Sequence, residues 1–273
     1  MTLESRALAQ FDRLVNQKEL LWAEAPPRHV PAKPFSLQMR ITESLKKKPW
    51  TSRQKKVDNA FADEDPDFNL GQIGPGHRLI LNKFSVVRPQ FVLPTIQFES
   101  QNEPLTAADL GAAWEVLSSL ESEYMIIFNC GADAGASVGH KHLQVLPCPD
   151  PKEHTLFPET SLLNEGISEV LEVPYRHAIQ KLPENVTTEA LSKVYQHLFE
   201  YFSLQQGSPH NFVCTRRWMM IIPRTKARVG ELSANAAGML GMVWVTSEED
   251  YKLWTAQDPM LLLKEFGVAR ESV

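Results

Sequence analysis

Residues 124–147 constrain the fold of this chain more than any other segment. They comprise the apolar run YMIIFN, the glycine-bearing turn CGADAGASVG and the run HKHLQVLP, and short apolar runs bounded by glycine predict strands. Because side chains alternate along a strand, His140, His142 and Gln144 share one face, while Leu143 points to the other. We therefore expect a buried strand pair whose second strand presents a His-His-Gln row to a cleft.

Other segments predict helices. The N-terminal sequence predicts an amphipathic helix that ends near the proline-rich APPRHVPAKP, and TEALSKVYQHLFEYF predicts another. Thr106 opens a further helix, and Asp109 stands three residues on as its capping-box partner. We expect short helices to close the chain.

The remaining segments complete an α+β pattern. HRLILNKFSVV and FVLPTIQFE predict strands joined at Arg88-Pro89, and HNFVCTRRWMMIIPR and GMLGMVWVT predict further strands. Residues 55–76 are rich in Asp, Asn, Gly and Pro and predict a long loop. Antiparallel-looking strand pairs mixed with separate helices favour the α+β class.

Composition limits the partners and the location. At 273 residues the chain is long enough for one large or two modest domains, and its net charge of -5 gives no general attraction to nucleic acid or an anionic membrane. No apolar run approaches the length of a membrane span, and the N-terminal helix does not resemble a signal peptide. Three cysteines without a CxxC pair indicate a reducing, cytoplasmic location. We therefore expect any phosphate site to be local, with no nucleic-acid or membrane partner.

The turn before the His-His-Gln row favours phosphate chemistry. Gly131 and Gly135 let backbone N–H groups approach a ligand, and successive N–H groups in a turn form an anion-binding concavity. An imidazole beside such a concavity suggests nucleophilic attack on phosphorus. Two other interpretations stay open. One is a metal pair completed by Cys130 and Cys148, whose spacing matches no usual zinc pattern; the other is a pair of surface histidines on an exposed strand.

The pattern N-x-G-x-x-x-G-x-x-x-x-H-x-H-x-Q over residues 129–144 resembles the histidine triad superfamily, with Gln144 where those proteins carry a third His. Glutamine there resembles the transferase branches, the galactose-1-phosphate uridylyltransferases and the diadenosine tetraphosphate phosphorylases (ATP adenylyltransferases). LILNKFSVV, FESQNEPLTAADL, FNCGADAGAS and HKHLQVLPCP resemble the N-terminal half of the phosphorylases, and VPYRHAI, RWMMIIPR and SANAAGMLGMVWV resemble their C-terminal part. Several blocks in the right order make this resemblance specific.

The resemblance implies the fold, the reaction and the partners. It implies a histidine triad-like α+β fold with an antiparallel sheet and flanking helices, in which residues 1–165 form the nucleotide-binding catalytic region and residues 166–273 pack on the same site. The implied reaction is phosphorolysis of diadenosine tetraphosphate to ATP and ADP through an AMP–histidine intermediate, with ADP-sulfate to ADP as a further reaction. The implied cofactor is Mg²⁺ carried by the polyphosphate, with no prosthetic group and no metal caged by the protein. No oligomeric state is implied.

The motif positions assign roles to the His-His-Gln row. His142 takes the position of the nucleophile, and a backbone carbonyl near His140 is expected to accept a hydrogen bond from its Nδ1, which directs Nε2 at phosphorus. His140 itself would serve packing and backbone positioning. Gln144 can hydrogen-bond an oxygen of the α-phosphate but cannot donate a proton as imidazolium can. Because a polyphosphate leaving group needs little protonation, we expect that Gln144 in place of a third His slows the reaction little. We also expect it to favour phosphate over water as acceptor.

Other positions match substrate contacts of the family. The backbone from Gly135 through Ala136 to Val138, with the Ser137 hydroxyl, is expected to hold the phosphate under attack. The remaining expected contacts are Asn129 beside the nucleotide, Asn82 and Lys83 at ribose or phosphate, Lys48 at the polyphosphate, and Asn235 and Met242 from the C-terminal part.

Two departures from the family pattern concern phosphate binding. Fungal members tend to have a polar residue where this chain has Val138, and Lys where it has Thr246. One phosphate-facing cation is therefore expected to be missing. Candidates to replace it, which the sequence does not place, are Arg216, Arg217, Arg224, Lys226 and Arg228.

Two alternative functions stay open from the sequence. The first is a related enzyme, such as a uridylyltransferase or a dinucleoside polyphosphate hydrolase, which base and acceptor preference would separate. The second is a nucleotide-binding regulator without turnover. The intact His142 and its adjoining turn argue against a regulator.

Overall fold

The structure is a computed structural model that describes residues 1–42, 45, 61, 65–159 and 166–270. The helices span Leu3–Asn16 (α1), Ala107–Ser119 (α2), Thr188–Tyr201 (α3), Ala236–Met239 (α4), Glu248–Thr255 (α5) and Pro259–Phe266 (α6). The strands span Arg28–Val30 (β1), Leu37–Ile41 (β2), Asn69–Ile73 (β3), His77–Leu81 (β4), Phe91–Pro94 (β5), Tyr124–Cys130 (β6), His142–Pro147 (β7), Ile167–Ser168 (β8), Ala178–Lys181 (β9), His210–Cys214 (β10), Trp218–Pro223 (β11), Arg228–Val229 (β12), Leu232–Ser233 (β13) and Met242–Val245 (β14).

A large antiparallel sheet carries the fold. Within the described residues it has nine strands in the order β3-β4-β5-β7-β6-β10-β11-β9-β8. Strand β6 pairs with β7 on one side and with β10 on the other, so strands from both regions of the sequence share this sheet. A smaller sheet, in the order β1-β2-β14, joins the two regions again because β14 pairs with β2. The predicted α+β class is confirmed.

The two faces of the large sheet are covered by different elements. On β6, Ile126 and Phe128 pack into a core with residues of α1, α2 and α3. Met125 and Ile127 point to the opposite face, into a second core with β14, α4, α5 and α6. Side-chain alternation thus places Asn129, the next residue of that second series, on the face covered by the C-terminal region. Among the described residues, every helix is too short or too polar to cross a membrane.

Helix α1 ends earlier than the sequence pattern predicts. Its last residue is Asn16, well before the proline-rich segment. Lys18 takes a positive φ of 62°, which no helix interior tolerates. The N–H of Leu21 then donates to the carbonyl of Lys83, so the chain already runs as a docked loop there.

Two further segments differ from the predictions. Strand β3 lies within the predicted loop 55–76, because antiparallel pairing with β4 satisfies its backbone groups. The first residues of GMLGMVWVT end helix α4, and the strand begins only at Met242. Asn235 causes this change, because its Oδ1 accepts a hydrogen bond from the N–H of Gly238 and caps the helix.

The predicted capping box of α2 is confirmed, and its acidic residue does more than cap. Asp109 accepts from the N–H of Thr106 at 2.7 Å. Its Oδ1 lies 2.8 Å from His77 Nε2, and its Oδ2 lies 3.1 Å from the Nζ of the buried Lys141. Burial raises the pKa of the Asp109 carboxyl, but the His77 and Lys141 contacts outweigh burial and lower it to about 2. This network fixes the residue that immediately precedes β7.

We expect Asp109 to stabilise the fold in a pH-dependent way. Because its pKa is lowered, its contribution is complete above about pH 4 and is lost as the pH falls through about 2, at a cost of about 2 kcal/mol. Asp109→Asn should lack this acid dependence and be about 3 kcal/mol less stable at neutral pH, since Lys141 keeps a buried charge. Urea unfolding across the acidic range measures both effects.

The control is Asp67→Asn, which removes an exposed ion pair with Arg13 and should cost less than about 1 kcal/mol. If wild type and Asp109→Asn lost stability equally between pH 4 and 2, Asp109 would not be the titrating group.

Candidate active site

A cavity of about 530 Å³ opens on the face of the large sheet that the C-terminal region covers. Its walls come from β6 and β7, from the turn after β6 and from the segments around α4 and β14. The predicted site residues that line it are Asn82, Asn129, Gly135, Ala136, Ser137, His142, Gln144 and Asn235. The fold therefore brings together residues from both regions of the sequence.

His142 lies in this cavity with a fixed tautomer. Its Nδ1 lies 2.8 Å from the carbonyl oxygen of His140, so the expected carbonyl contact is present. A carbonyl only accepts, so Nδ1 carries the proton and Nε2 is the basic nitrogen. The side chain is 8% exposed and lines the cavity. This is the arrangement that a nucleophilic imidazole requires.

The prediction that the whole His-His-Gln row faces the cleft is wrong at His140. Strand β7 begins only at His142, and His140 forms a separate bridge with Ser100. Its side chain is fully buried, with Nε2 at 2.9 Å from both Oγ1 and the carbonyl of Thr95. Burial lowers the pKa of His140, which favours the neutral imidazole. His140 thus supplies its backbone carbonyl, while its ring packs inside the protein.

Gln101, which sequence reasoning missed, clamps the two strands that carry the site. Its Oε1 accepts from the N–H of His142 at 2.8 Å, and its Nε2 donates to the carbonyl of Asn129 at the same distance. The side chain is 2% exposed. Gln101 lies in the family-like block FESQNEPLTAADL, but its role was not predictable because it joins two segments that meet only in the fold.

The turn after β6 is built differently from the predicted phosphate cradle. The N–H of Gly135 donates to the carbonyl oxygen of Ala132 at 3.0 Å, and the N–H of Ala136 donates to the carbonyl oxygen of Gly131 at 3.2 Å. Both N–H groups are therefore used within the turn and do not donate to a ligand. Ser137 lines the cavity, but Val138 does not.

Three asparagines of the cavity wall have their side-chain oxygens held by backbone N–H groups. A backbone N–H only donates, so this contact identifies the amide oxygen of each side chain. The pairs are Asn82 with Phe84 at 2.9 Å, Asn129 with Ala236 at 2.9 Å, and Asn235 with Gly238 at 3.1 Å. Each side chain therefore keeps its NH₂ group as the donor for further contacts, and amide donors in a cavity wall suit an anionic ligand.

The amide oxygen of Gln144 is also held by a donor, but here the donor belongs to a second side chain. Its Oε1 accepts from Gln90 Nε2 at 3.0 Å, and Gln90 also lines the cavity. The NH₂ group of Gln144 is thus the donor that this side chain offers beside His142.

Two buried polar residues fasten the turn to the C-terminal region. Asn211 donates to the Oδ1 of Asn129 and to the carbonyl of Ala134, both at 2.8 Å. Arg224 donates to the carbonyls of Ala134 and Ala234. Burial lowers the pKa of Arg224 to about 10, so its guanidinium stays charged at neutral pH. Arg224 therefore positions the site without lining it.

The other candidate cations fall into two groups. Lys226 and Arg228 line the cavity, and Lys226 also forms an exposed ion pair with Glu265 at 3.0 Å. Arg216 and Arg217 lie away from the cavity, where they bind the carbonyl of Leu117 and the carboxylate of Glu159. Thr246 lines the cavity where a family lysine was expected, and its Oγ1 donates to Asp250 at 2.7 Å.

Two predicted contacts lie elsewhere, and one falls outside the described residues. The ammonium of Lys83 lies over the ring of Phe68, because the turn after β4 directs it away from the cavity. Met242 is 2% exposed and packs in the core, so it does not line the cavity. Lys48 lies outside the described residues.

The metal-pair interpretation finds no support in the described part of the chain, where no group of three or more His, Cys, Asp or Glu could hold a metal. Burial raises the pKa of both Cys130 and Cys148 to about 12, which disfavours the thiolate that a metal requires.

Gly135 is required by close packing of the turn. Its φ is +96°, and an added Cβ would lie 3.0 Å from Asn235 Cα and 3.1 Å from the carbonyl oxygen of Ala234. We expect Gly135→Ala to lower the free energy of unfolding by about 2 kcal/mol, because both backbones must shift. Gly139→Ala, in the same segment but in open space, should change it by less than about 1 kcal/mol. Equal effects in urea unfolding would contradict the assignment.

Two family models match the chain. The Ap4A phosphorylase N-terminal domain covers residues 2–165, and the ATP adenylyltransferase C-terminal domain covers residues 171–269. Diadenosine 5',5'''-P1,P4-tetraphosphate phosphorylase 2 of Saccharomyces cerevisiae is 29% identical over an alignment of 250 positions, which covers 77% of this chain and 75% of that protein. Protein APA1 of the same yeast is 27% identical over an alignment of 240 positions, which covers 76% of this chain and 73% of that protein.

Solved structures show the same similarity. The crystal structure of yeast Ap4A phosphorylase Apa2 in complex with Ap4A superposes with a TM-score of 0.84 and 25% identity, over 100% of both chains. The AMP complex of the same yeast protein gives a TM-score of 0.80 and 25% identity over 98% of this chain and 97% of that one. This chain belongs to the Ap4A phosphorylase family.

Proposed function

We propose that this protein catalyses the phosphorolysis of diadenosine tetraphosphate (Ap4A) to ATP and ADP. The observation that carries the proposal is the geometry of His142. Its Nδ1 is held by the His140 carbonyl, so Nε2 is the basic nitrogen of a side chain that lines a cavity with several amide residues. Membership of the Ap4A phosphorylase family supports it, as do yeast structures described as complexes with Ap4A and AMP.

The first half-reaction joins AMP to the protein. His142 Nε2 attacks an α-phosphorus of Ap4A, a nitrogen–phosphorus bond forms, and the bond to the bridging oxygen breaks so that ATP leaves. The positive charge that develops on the imidazole is stabilised at Nδ1 by the His140 carbonyl. In the second half-reaction, inorganic phosphate attacks the same phosphorus, ADP is released and the neutral His142 is restored.

Negative charge on the phosphoryl oxygens is stabilised by donors that are already in place. Asn82, Asn129 and Gln144 line the cavity with amides whose oxygens are already bound, which leaves their NH₂ groups as donors. Lys226 and Arg228 add positive charge. Gln144 does not protonate the leaving group, and ATP needs little protonation because it leaves as a stable polyphosphate anion. The same chemistry would convert a sulfated adenosine nucleotide, in the ADP-sulfate reaction, to ADP. Nε2 attacks the α-phosphorus, the sulfate-bearing group leaves as a stable anion, and inorganic phosphate then takes the adenylate to form ADP.

We also propose that Mg²⁺ enters the site on the polyphosphate. Among the described residues that line the cavity, Asp133 is the only carboxylate. Mg²⁺ commonly keeps several waters and binds through one or two carboxylates plus substrate phosphates, which fits a cavity of this composition. It would supply positive charge to the polyphosphate.

The deciding experiment uses Ap4A, Mg²⁺ and labelled inorganic phosphate. We expect the label in ADP and an equal amount of unlabelled ATP. AMP with no labelled ADP would make water the acceptor and the protein a hydrolase. Tight binding of Ap4A without turnover would favour a nucleotide-binding regulator.

The covalent intermediate has its own test. Without phosphate, Ap4A labelled in adenine should leave label on the wild-type protein that is stable to base and labile to acid, as expected for a phosphoramidate. His142→Asn should take up no label and lose about 1000-fold or more of the turnover rate. The control is His197→Asn on the exposed side of α3, which should behave as wild type. Labelling of His142→Asn would place the nucleophile elsewhere.

A further inference from the structure

A relay of amide groups reaches Gln144 from the backbone. The N–H of Val86 donates to Gln90 Oε1 at 2.8 Å, and Gln90 Nε2 donates to Gln144 Oε1 at 3.0 Å. The three asparagines of the cavity wall are instead held by backbone N–H groups directly. Gln144 alone among these four depends on a second side chain for its orientation.

The direction of the relay follows from its first member. A backbone N–H cannot accept, so Gln90 must turn its oxygen toward Val86 and its NH₂ group toward Gln144. Gln144 must then accept with Oε1, and its own NH₂ group becomes the donor on the cavity side. Reversing the Gln144 amide would set two NH₂ groups against each other and turn an acceptor toward the phosphate.

Gln90 is itself held firmly. Its side chain is 2% exposed, and its backbone carbonyl accepts from the N–H of Asn82 at 2.8 Å. It immediately precedes β5, in which Val92 stands opposite Gln144 in the antiparallel pair with β7. The side chain therefore approaches Gln144 from a neighbouring strand of a rigid sheet.

We propose that Gln90 is a positioning residue that fixes the amide polarity of Gln144, so that Gln144 donates to the phosphoryl oxygens in the transition state. The proposal rests on the proposed phosphorolysis, since it concerns the same site. It assigns to Gln90 no contact with the reacting atoms.

Gln90→Glu tests the polarity. When ionised, the new carboxylate accepts from Val86 but has no proton for Gln144, whose amide must then turn and present its oxygen to the phosphate. When protonated, the carboxylic acid donates to Gln144 Oε1 and the original polarity returns. We expect kcat to fall about 10- to 100-fold at pH 8, with little change in KM, and to recover toward wild type as the pH falls to 6.

The ratio of variant to wild-type kcat at each pH isolates this titration. In the described part of the cavity wall, the charged and titratable side chains are His142, Asp133, Lys226 and Arg228. All four are present in both proteins, so their contribution to the pH dependence cancels in the ratio. A ratio that does not change with pH would overturn the proposal, as would a variant as active as wild type throughout.

Gln90→Met provides a second measurement that does not need the buried acid. It keeps the length of the side chain and removes the relay, so we expect kcat to fall about 10-fold, in parallel with wild type at every pH. In a Gln144→Ala background the same change should have no further effect, because the amide to be oriented is gone. An equal loss in both backgrounds would show a packing role and overturn the proposal.

The two proposals fail in different ways. If wild type yields no labelled ADP, the proposed phosphorolysis is wrong. If wild type yields labelled ADP and the Gln90 variants follow wild type, only the role of Gln90 is wrong.

Discussion

The pairing of β6 with β7 on one side and β10 on the other is the constraint on which the site depends. Because side chains alternate, these pairings place Asn129, His142, Gln144 and Asn211 on one face, while their neighbours fill the core against α1, α2 and α3. A slip of one residue would exchange the two sets and bury the polar row among apolar side chains. The register that builds the core therefore also builds the cavity. This explains why the C-terminal region, which covers the same face, supplies Asn235, Lys226 and Arg228 to it.

Buried polar groups hold this cavity in shape. Arg224, Asn211 and Gln101 are each almost fully buried, and a buried donor or acceptor left without a partner costs about 1–3 kcal/mol. That cost makes their contacts with the turn and with the strand ends specific, since no alternative packing satisfies them all. The Asp109–Lys141 pair does the same on the other face of the sheet, immediately before His142. His142, the proposed nucleophile, is thus held at its backbone N–H by Gln101, at Nδ1 by the His140 carbonyl, and from behind by the buried Asp109–Lys141 ion pair.

The sequence predicts what short-range spacing encodes. The alternation of His142 and Gln144, the capping box of Thr106 and the buried strand over residues 124–129 all follow from neighbours in the chain, and so does the family resemblance. The sequence does not predict the roles of Gln90, Gln101, Asn211 and Arg224, because each joins segments that are distant in sequence. Gln90 and Gln144, for example, are 54 residues apart. Lys83 and Met242 were misplaced for the converse reason, since a pattern match does not show which way a turn or a strand directs a side chain.

Amides suit the inner wall of this site better than a further cation would. A buried ammonium or guanidinium needs a buried partner, and that partner would repel phosphate. An amide whose oxygen is already bound carries no net charge, yet its NH₂ group forms a strong hydrogen bond to an anionic oxygen. The cavity-lining cations Lys226 and Arg228 are largely exposed and can attract a polyphosphate without this cost. Thr246, which lines the cavity where the resemblance led us to expect a lysine, fits the same division, because it adds no charge to the inner wall. Orientation of those dipoles is therefore the property that the surrounding contacts must preserve.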